Sequence, residues 1–178
     1  MITIEMLAHT EAAREREQLI SLLTECVAGG ASIGFLAPLA RAEAEAYWAK
    51  VEGDVRGGGK VLLVAREAGS GAIVGSAQLG LESRANGRHR AEVQKVMVRP
   101  AARRRGIATQ LMAAIEAEAR ARRVTLLFLD TSDSHAGARP LYEALQYMYV
   151  GGIPGYALDP HGTPEANAIY YKTLAPGG

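Results

Sequence analysis

Ile2, Ile4 and Met6 alternate with Thr3 and Glu5, the period of two that marks a strand with one buried face, here Ile2 to Leu7. Leu19, Leu22, Leu23 and Cys26 then recur at intervals of three and four. With Thr10 as N-cap they predict a helix from about Glu11 to Val27, ended by Gly29-Gly30. Ala44, Trp48, Val51 and Val55 repeat the spacing in a second helix, Pro38 to Val55, with Pro38 in its first turn and Gly57-Gly58-Gly59 after it. Val61 to Arg66 and Ala72 to Leu81 read as strands joined through Gly69-Ser70-Gly71. Asn86-Gly87 is a turn signal ahead of a strand at Ala91 to Val98. Ile107, Leu111, Ile115 and Ala119 place a helix after it, and Thr125 to Leu129 suits a strand covered on both faces. Strand, helix, strand in that order implies a parallel pair with a right-handed crossover. A short helix around Arg139 to Gln146 and strands at Tyr147 to Gly152 and Ala168 to Leu174 complete an α/β pattern. Ile153 to Asn167, rich in Gly, Pro and polar residues, reads as a long connection of the kind that often serves as a lid.

Composition narrows this picture by exclusion. A chain of 178 residues is most simply one domain, residues 1–178. A net charge of +1 gives no reason to expect nucleic acid as a partner. The single cysteine, Cys26, rules out an intrachain disulfide and a cysteine zinc site. His9, His89, His135 and His161 show no ligand spacing, so no metal is expected. No apolar run approaches the roughly 18 residues of a membrane span, and Glu5 stands where a signal peptide would be basic and then apolar. A soluble cytoplasmic protein without a membrane partner is the expectation.

The chemistry concentrates at residues 91–108. A strand ends at Arg99-Pro100, and a basic turn, Arg103-Arg104-Arg105-Gly106-Ile107-Ala108, opens the next helix ahead of Thr109. Unpartnered amides and the helix dipole favour an anion at such a point. The arginines add charge and donors, and Gly106 removes a Cβ from the approach. The turn is therefore a candidate pyrophosphate clamp.

The spacing Arg-x-x-Gly-x-Ala resembles the acyl-CoA loop of the GNAT superfamily of N-acetyltransferases. Leu141-Tyr142-Glu143-Ala144-Leu145-Gln146-Tyr147 is similar to that superfamily's Leu-Tyr-x-x-Leu-Gly-Phe, with Gln146 for the glycine and Tyr147 for the phenylalanine. The resemblance implies a central mixed sheet of about six to seven strands with flanking helices, and acetyl-CoA as cosubstrate. It puts the pantetheine arm beside the main chain of Val96, Met97 and Val98, and makes Tyr142 the acid for the leaving thiolate. A polar residue that the superfamily carries shortly before this helix has Ser134 or His135 as its stand-in. Transfer to an amine also needs a base, because an alkylamine is mostly protonated at pH 7. Glu92, which shares a period-two strand face with Gln94, Val96 and Val98, and Asp130, at the end of the apolar strand, are the candidates.

Ala91-Glu92-Val93-Gln94-Lys95, Gly29 to Phe35, Pro154-Gly155-Tyr156 and Ala168 to Leu174 look like the tabtoxin-resistance acetyltransferases. That likeness implies a small-molecule amine as acceptor, such as an amino-acid-like toxin bearing a β-lactam. Phe35 and Tyr156 are then candidates for the wall of the acceptor pocket. A protein or peptide amine, and a CoA-binding sensor that transfers nothing, are the alternatives. The resemblance is compatible with a homodimer, and no segment of the sequence marks an interface.

Overall fold

Val61 to Ala65 is apolar at every position, and all five residues are buried, as a strand with a layer on each side requires. The computed structural model describes residues 1–133 and 139–175. In it β1 (Ile2–Met6), β2 (Lys60–Glu67), β3 (Ile73–Leu81), β4 (Arg90–Val98), β5 (Leu126–Ser132), β9 (Asn167–Thr173) and β6 (Met148–Gly151) form one sheet in the order β1-β2-β3-β4-β5-β9-β6. β4 and β5 are parallel, and every other neighbouring pair is antiparallel. α1 (His9–Arg14), α2 (Arg16–Ala28) and α3 (Arg41–Arg56) cover one face, where Leu19, Leu23, Trp48, Leu62, Val64 and Met97 share a core. α4 (Ile107–Ala121) and α5 (Arg139–Ala144) cover the other, with Leu63, Leu79, Val93, Leu111, Ile115 and Tyr142. α4 lies directly on β3: a Cβ on Gly75 would meet Leu111 Cδ1 at 3.2 Å and the carbonyl oxygen of Met97 at 2.8 Å. No helix among the described residues is long and apolar enough to cross a membrane.

Several expected boundaries move. The first helix begins at His9, not after Thr10, because the Glu11 carboxylate accepts the Ala8 amide at 2.8 Å and caps the chain two residues earlier. It is also two helices. Glu15 breaks it, and its carboxylate accepts from Gln18 Nε2 at 2.6 Å at the start of α2. Pro38 lies outside α3. Leu39 is buried among the α1–α3 residues and Ala40 is extended, so the helix can start only at Arg41. The 153–167 connection contains a two-stranded ribbon, β7 (Ala157–Leu158) with β8 (Pro164–Glu165). It is tied down by Ile153 N–H to Asn167 Oδ1 at 2.8 Å and Ser132 Oγ to Glu165 Oε2 at 2.6 Å. α5 ends at Ala144, two residues short, and Gln146 takes a left-handed turn with φ +63°. Ser134 and His135 lie outside the described residues.

β4 is irregular in two ways. It pairs with β5 only from Arg90↔Leu126 to Glu92↔Phe128. Beyond that, β4 stays with β3 while β5 stays with β9 out to Ser132↔Asn167, so the two parallel strands separate towards their C-terminal ends. The second irregularity is a bulge. β4 carries one extra residue between Gln94, opposite Gln78, and Met97, opposite Ser76, and Lys95 there has φ +49°. An extra residue exchanges the faces of every side chain after it. Ala91 and Val93 pack towards α4 before the bulge, as do Val96 and Val98 after it, whereas Met97 packs towards α2 and α3. The common face expected for Glu92, Gln94, Val96 and Val98 therefore does not exist. Glu92 and Gln94 are on the α3 side, and the two valines are on the α4 side.

Candidate active site

The separation of β4 and β5 opens a cavity of about 1210 Å³ that reaches both faces of the sheet. On one face it is lined by Tyr47, Lys60, Glu92, Gln94, Phe128 and Asp130. On the other it reaches Arg103, Arg104, Gly106 to Thr109 and Tyr142. The edge of β4 from Val96 to Val98 borders it between these ends, with no strand among the described residues paired on that side.

At the α4 end, Pro100–Ala102 forms a 3-10 turn and Gly106 caps the helix. Arg104 and Gly106 have φ of +62° and +72°, and this pair of left-handed residues turns the loop's amides outward. The Gln110 amide makes the first α4 bond, to Gly106 O at 3.1 Å, and the amides of Arg104 to Thr109 have no partner among the described residues. Gly106 lines the cavity, and a Cβ there would meet no described protein atom within 4 Å. The loop thus has what a diphosphate needs: consecutive free donors, the positive end of a 15-residue helix, and adjacent cations. The three arginines divide. Arg103 and Arg104 line the cavity, while Arg105 forms an ion pair with Glu67 at 2.9 Å and contributes only its amide.

At the other end, a connected polar network lies beneath α3. Gln94 Nε2 donates to Glu92 Oε2 at 2.6 Å. Lys60 Nζ donates to Gln94 Oε1 at 2.9 Å and to Gln78 Oε1 at 3.0 Å, and Gln78 Nε2 donates to the Tyr47 hydroxyl at 2.8 Å. Burial pulls the Lys60 ammonium below its ordinary pKa and raises the Tyr47 phenol above its own. Glu92 keeps its other carboxylate oxygen without a partner among the described residues. Asp130 falls within β5, opposite Ile169, because that strand runs on to Ser132. Leu127 and Leu129 face α4, so Asp130 shares the Glu92 side of the sheet, where it is exposed.

Tyr142 arrives from the α4 side. It is 5% exposed, with its ring 5.6 Å from that of Tyr170 and 5.9 Å from that of Tyr147. Burial raises its pKa well above the ordinary phenol value, and the Asp130 charge adds to the shift. Glu92, Asp130 and Tyr142 therefore meet at one cavity from three elements. Tyr156 lines the same cavity from the ribbon segment and is exposed. Phe35 does not reach it. Its ring stacks edge-on against Tyr47 at 5.3 Å, behind the wall formed by Gly29 to Gly34. Sequence reasoning missed Tyr47, Lys60, Gln78 and Lys95. The signal available was a polar residue at an inward strand position, as at Lys60 and Gln78 beside otherwise buried neighbours.

Comparison with known proteins agrees with this geometry. The model of the acetyltransferase (GNAT) family matches residues 30–147, from the loop after α2 through Tyr147. An uncharacterized N-acetyltransferase of Azospirillum brasilense, from the hisH-hisA intergenic region, is 33% identical over 135 residues, 75% of this chain and 77% of the relative. Among solved structures, the fold is shared with a ribosomal-protein-alanine N-acetyltransferase from Brucella melitensis (TM-score 0.79, 22% identity, 97% of this chain and 99% of that one). It is shared too with a phosphinothricin acetyltransferase from Sinorhizobium meliloti in complex with acetyl-CoA (TM-score 0.78, 20% identity, 99% and 90%). The family match spans both the diphosphate-type loop and the β4–β5 opening, and the chain belongs to the GNAT family of acetyltransferases and is an N-acetyltransferase.

Proposed function

We propose that the protein transfers the acetyl group of acetyl-CoA directly to a small-molecule amine, with amino-acid-like toxins of the tabtoxinine-β-lactam type as the acceptor class its sequence suggests. One observation carries this reading. The free amides of residues 104–109 and the Glu92–Gln94 network open onto the same cavity, at opposite ends of the separation between β4 and β5. The donor supplies an activated acetyl group. Arg103, Arg104 and the α4 amides suit its pyrophosphate, and the unpaired edge of Val96, Met97 and Val98 suits an extended pantetheine arm. The Sinorhizobium meliloti neighbour, in complex with acetyl-CoA, supports acetyl-CoA as the donor.

The remaining roles are matters of proton placement. Only a neutral amine attacks, so a proton must leave the acceptor. Glu92 accepts it, because Gln94 holds one of its oxygens and leaves the other free. Asp130, on the same face, can act through water. Tyr142 holds a hydroxyl proton towards the departing sulfur. Its raised pKa keeps that proton in place at neutral pH, so the phenol stabilises the thiolate by hydrogen bonding more than by full transfer.

Calorimetry with acetyl-CoA, then a screen of amines and peptides that monitors CoA release, tests the reading. Heat with acetyl-CoA, its loss in Gly106→Val, and release with free amines but not with peptides are expected. No heat with the wild type removes the proposal, and release with peptides alone moves the acceptor to a protein. Tyr142→Phe should lower kcat by roughly 10-fold to 100-fold and leave acetyl-CoA affinity within about twofold. An unchanged kcat would end the assignment of Tyr142.

A further inference from the structure

Lys95 is the residue at the β4 bulge, with a left-handed backbone that a long side chain seldom adopts. Outliers of this kind gather at functional sites, and a bulge beside an active site re-aims a side chain. Here it sends the lysine towards the loop before α3. Lys95 Nζ lies 5.8 Å from the centroid of the Phe35 ring and 3.2 Å from where a Cβ on Gly34 would sit. Lys95 is half-buried and lines the cavity that holds Glu92 and Asp130.

Its ammonium has no hydrogen bond and no carboxylate within 4.0 Å among the described residues. Two other lysines are placed differently. Lys60, in the same cavity, has Gln78, Gln94 and Asp54 around its ammonium, and Lys172 is held by Glu116 at 2.6 Å and by Leu145 O at 2.9 Å. Lys95 meets a ring face and longer-range charges alone: burial and then the Lys60 ammonium draw its pKa down, while the fields of Asp130 and Glu92 oppose them. A partly desolvated cation without a counter-ion is unfavourable, and an arriving anion relieves it. Lys95 lines the cavity three residues along the strand from the proposed base, so the missing anion belongs on the acceptor.

We propose that Lys95 is the specificity residue of the acceptor pocket: its ammonium pairs with a carboxylate on the acceptor and so selects amines that carry one. This inference rests on the acetyl-transfer reading above. It adds a residue that chooses among amines, and Phe35 becomes the support that holds that residue in place.

The test uses common amino acids without an acidic side chain, each beside its α-carboxamide, with rates compared per neutral amine because amidation removes the carboxylate and also lowers the pKa of the α-amine. The wild type should favour acids. Lys95→Gln should lower kcat/KM for the acid by roughly tenfold or more and change that for the carboxamide less than about twofold, with Lys95→Arg recovering part of the loss. Equal losses on both acceptors, or a wild type as active on carboxamides as on acids, would overturn the proposal. Acetyl-CoA calorimetry on each variant reports folding and donor binding separately. A second readout needs no turnover. In protein with 13C-labelled lysine, the Lys95 Cε resonance should move when an amino acid joins the CoA-loaded enzyme and stay still with the carboxamide. A resonance indifferent to both overturns the ion pair. Failure of the underlying reading looks different: no CoA release from any acceptor and no heat with acetyl-CoA, which removes the specificity role with it.

Discussion

Gln146 shows at the scale of one residue what a sequence pattern can reveal. It stands where the resembling pattern has glycine, and its φ of +63° explains why that position suits glycine. The chain turns there, with the Tyr147 amide bonded to Tyr142 O at 2.9 Å, so the turn fixes Tyr142 relative to β6. An L-residue in this conformation costs about 1–2 kcal/mol, offset in part by the extra freedom glycine has when unfolded. Gln146→Gly should therefore raise the urea midpoint, by up to about 1 kcal/mol in stability. A lower midpoint would mean that the Gln146 side chain contributes something no described contact accounts for. Lys95 has a comparable backbone with no such forewarning. It reads as an ordinary strand residue, because a bulge is set by pairing with β3 and leaves no trace in local periodicity.

Among the elements, α2 was the most legible. Leu19, Leu22, Leu23 and Cys26 share one face as their spacing predicts, and all are buried. Its boundaries were less so, because the cap ahead of α1 is made by Glu11 and the break before α2 falls at Glu15, residues that look the same inside a helix. Burial of α2 also has a consequence at high pH. Cys26 is 1% exposed, its Sγ donates to Val98 O at 3.5 Å, and burial pushes its thiol from 9.0 up to about 11. A thiol whose folded pKa is raised keeps its proton in the fold after the unfolded chain has lost it. Its contribution is fully present below pH 9 and is lost as pH rises from 9 through 11. The shift corresponds to about 2–3 kcal/mol. The stability difference between wild type and Cys26→Ala, measured by urea unfolding, should narrow by about that amount over the same interval. A constant difference would show that the thiol ionises as readily folded as unfolded.

At the scale of the whole molecule, the decisive feature is the separation of two parallel neighbours. β4 is held by β3 and β5 by β9, so the seven-stranded sheet is continuous while its centre is open at one end. A donor bound there would touch the α4 loop, the edge of β4 and α5 at once. It should therefore stabilise the molecule as a unit, not locally. At a hundred times its Kd the gain is about 2.7 kcal/mol, or roughly 5–10 °C in Tm for a chain of this size. Thermal unfolding with and without acetyl-CoA checks this, and an unshifted transition would count against binding in the cavity.

The sequence by itself determined the α/β order of the main strands and helices, the buried faces of the main helices, the basic glycine turn ahead of α4 and the residue types at Glu92, Asp130 and Tyr142. These are local properties, written in periodicity, capping chemistry and the demands of a turn. Only the tertiary structure decided which faces those residues share, that β4 reverses its alternation at Lys95, and that Lys60, Gln78 and Tyr47 support Glu92 through Gln94. The reason is physical. Strand pairing joins residues far apart in the chain, and one unpaired residue in a ladder changes the face of every side chain beyond it.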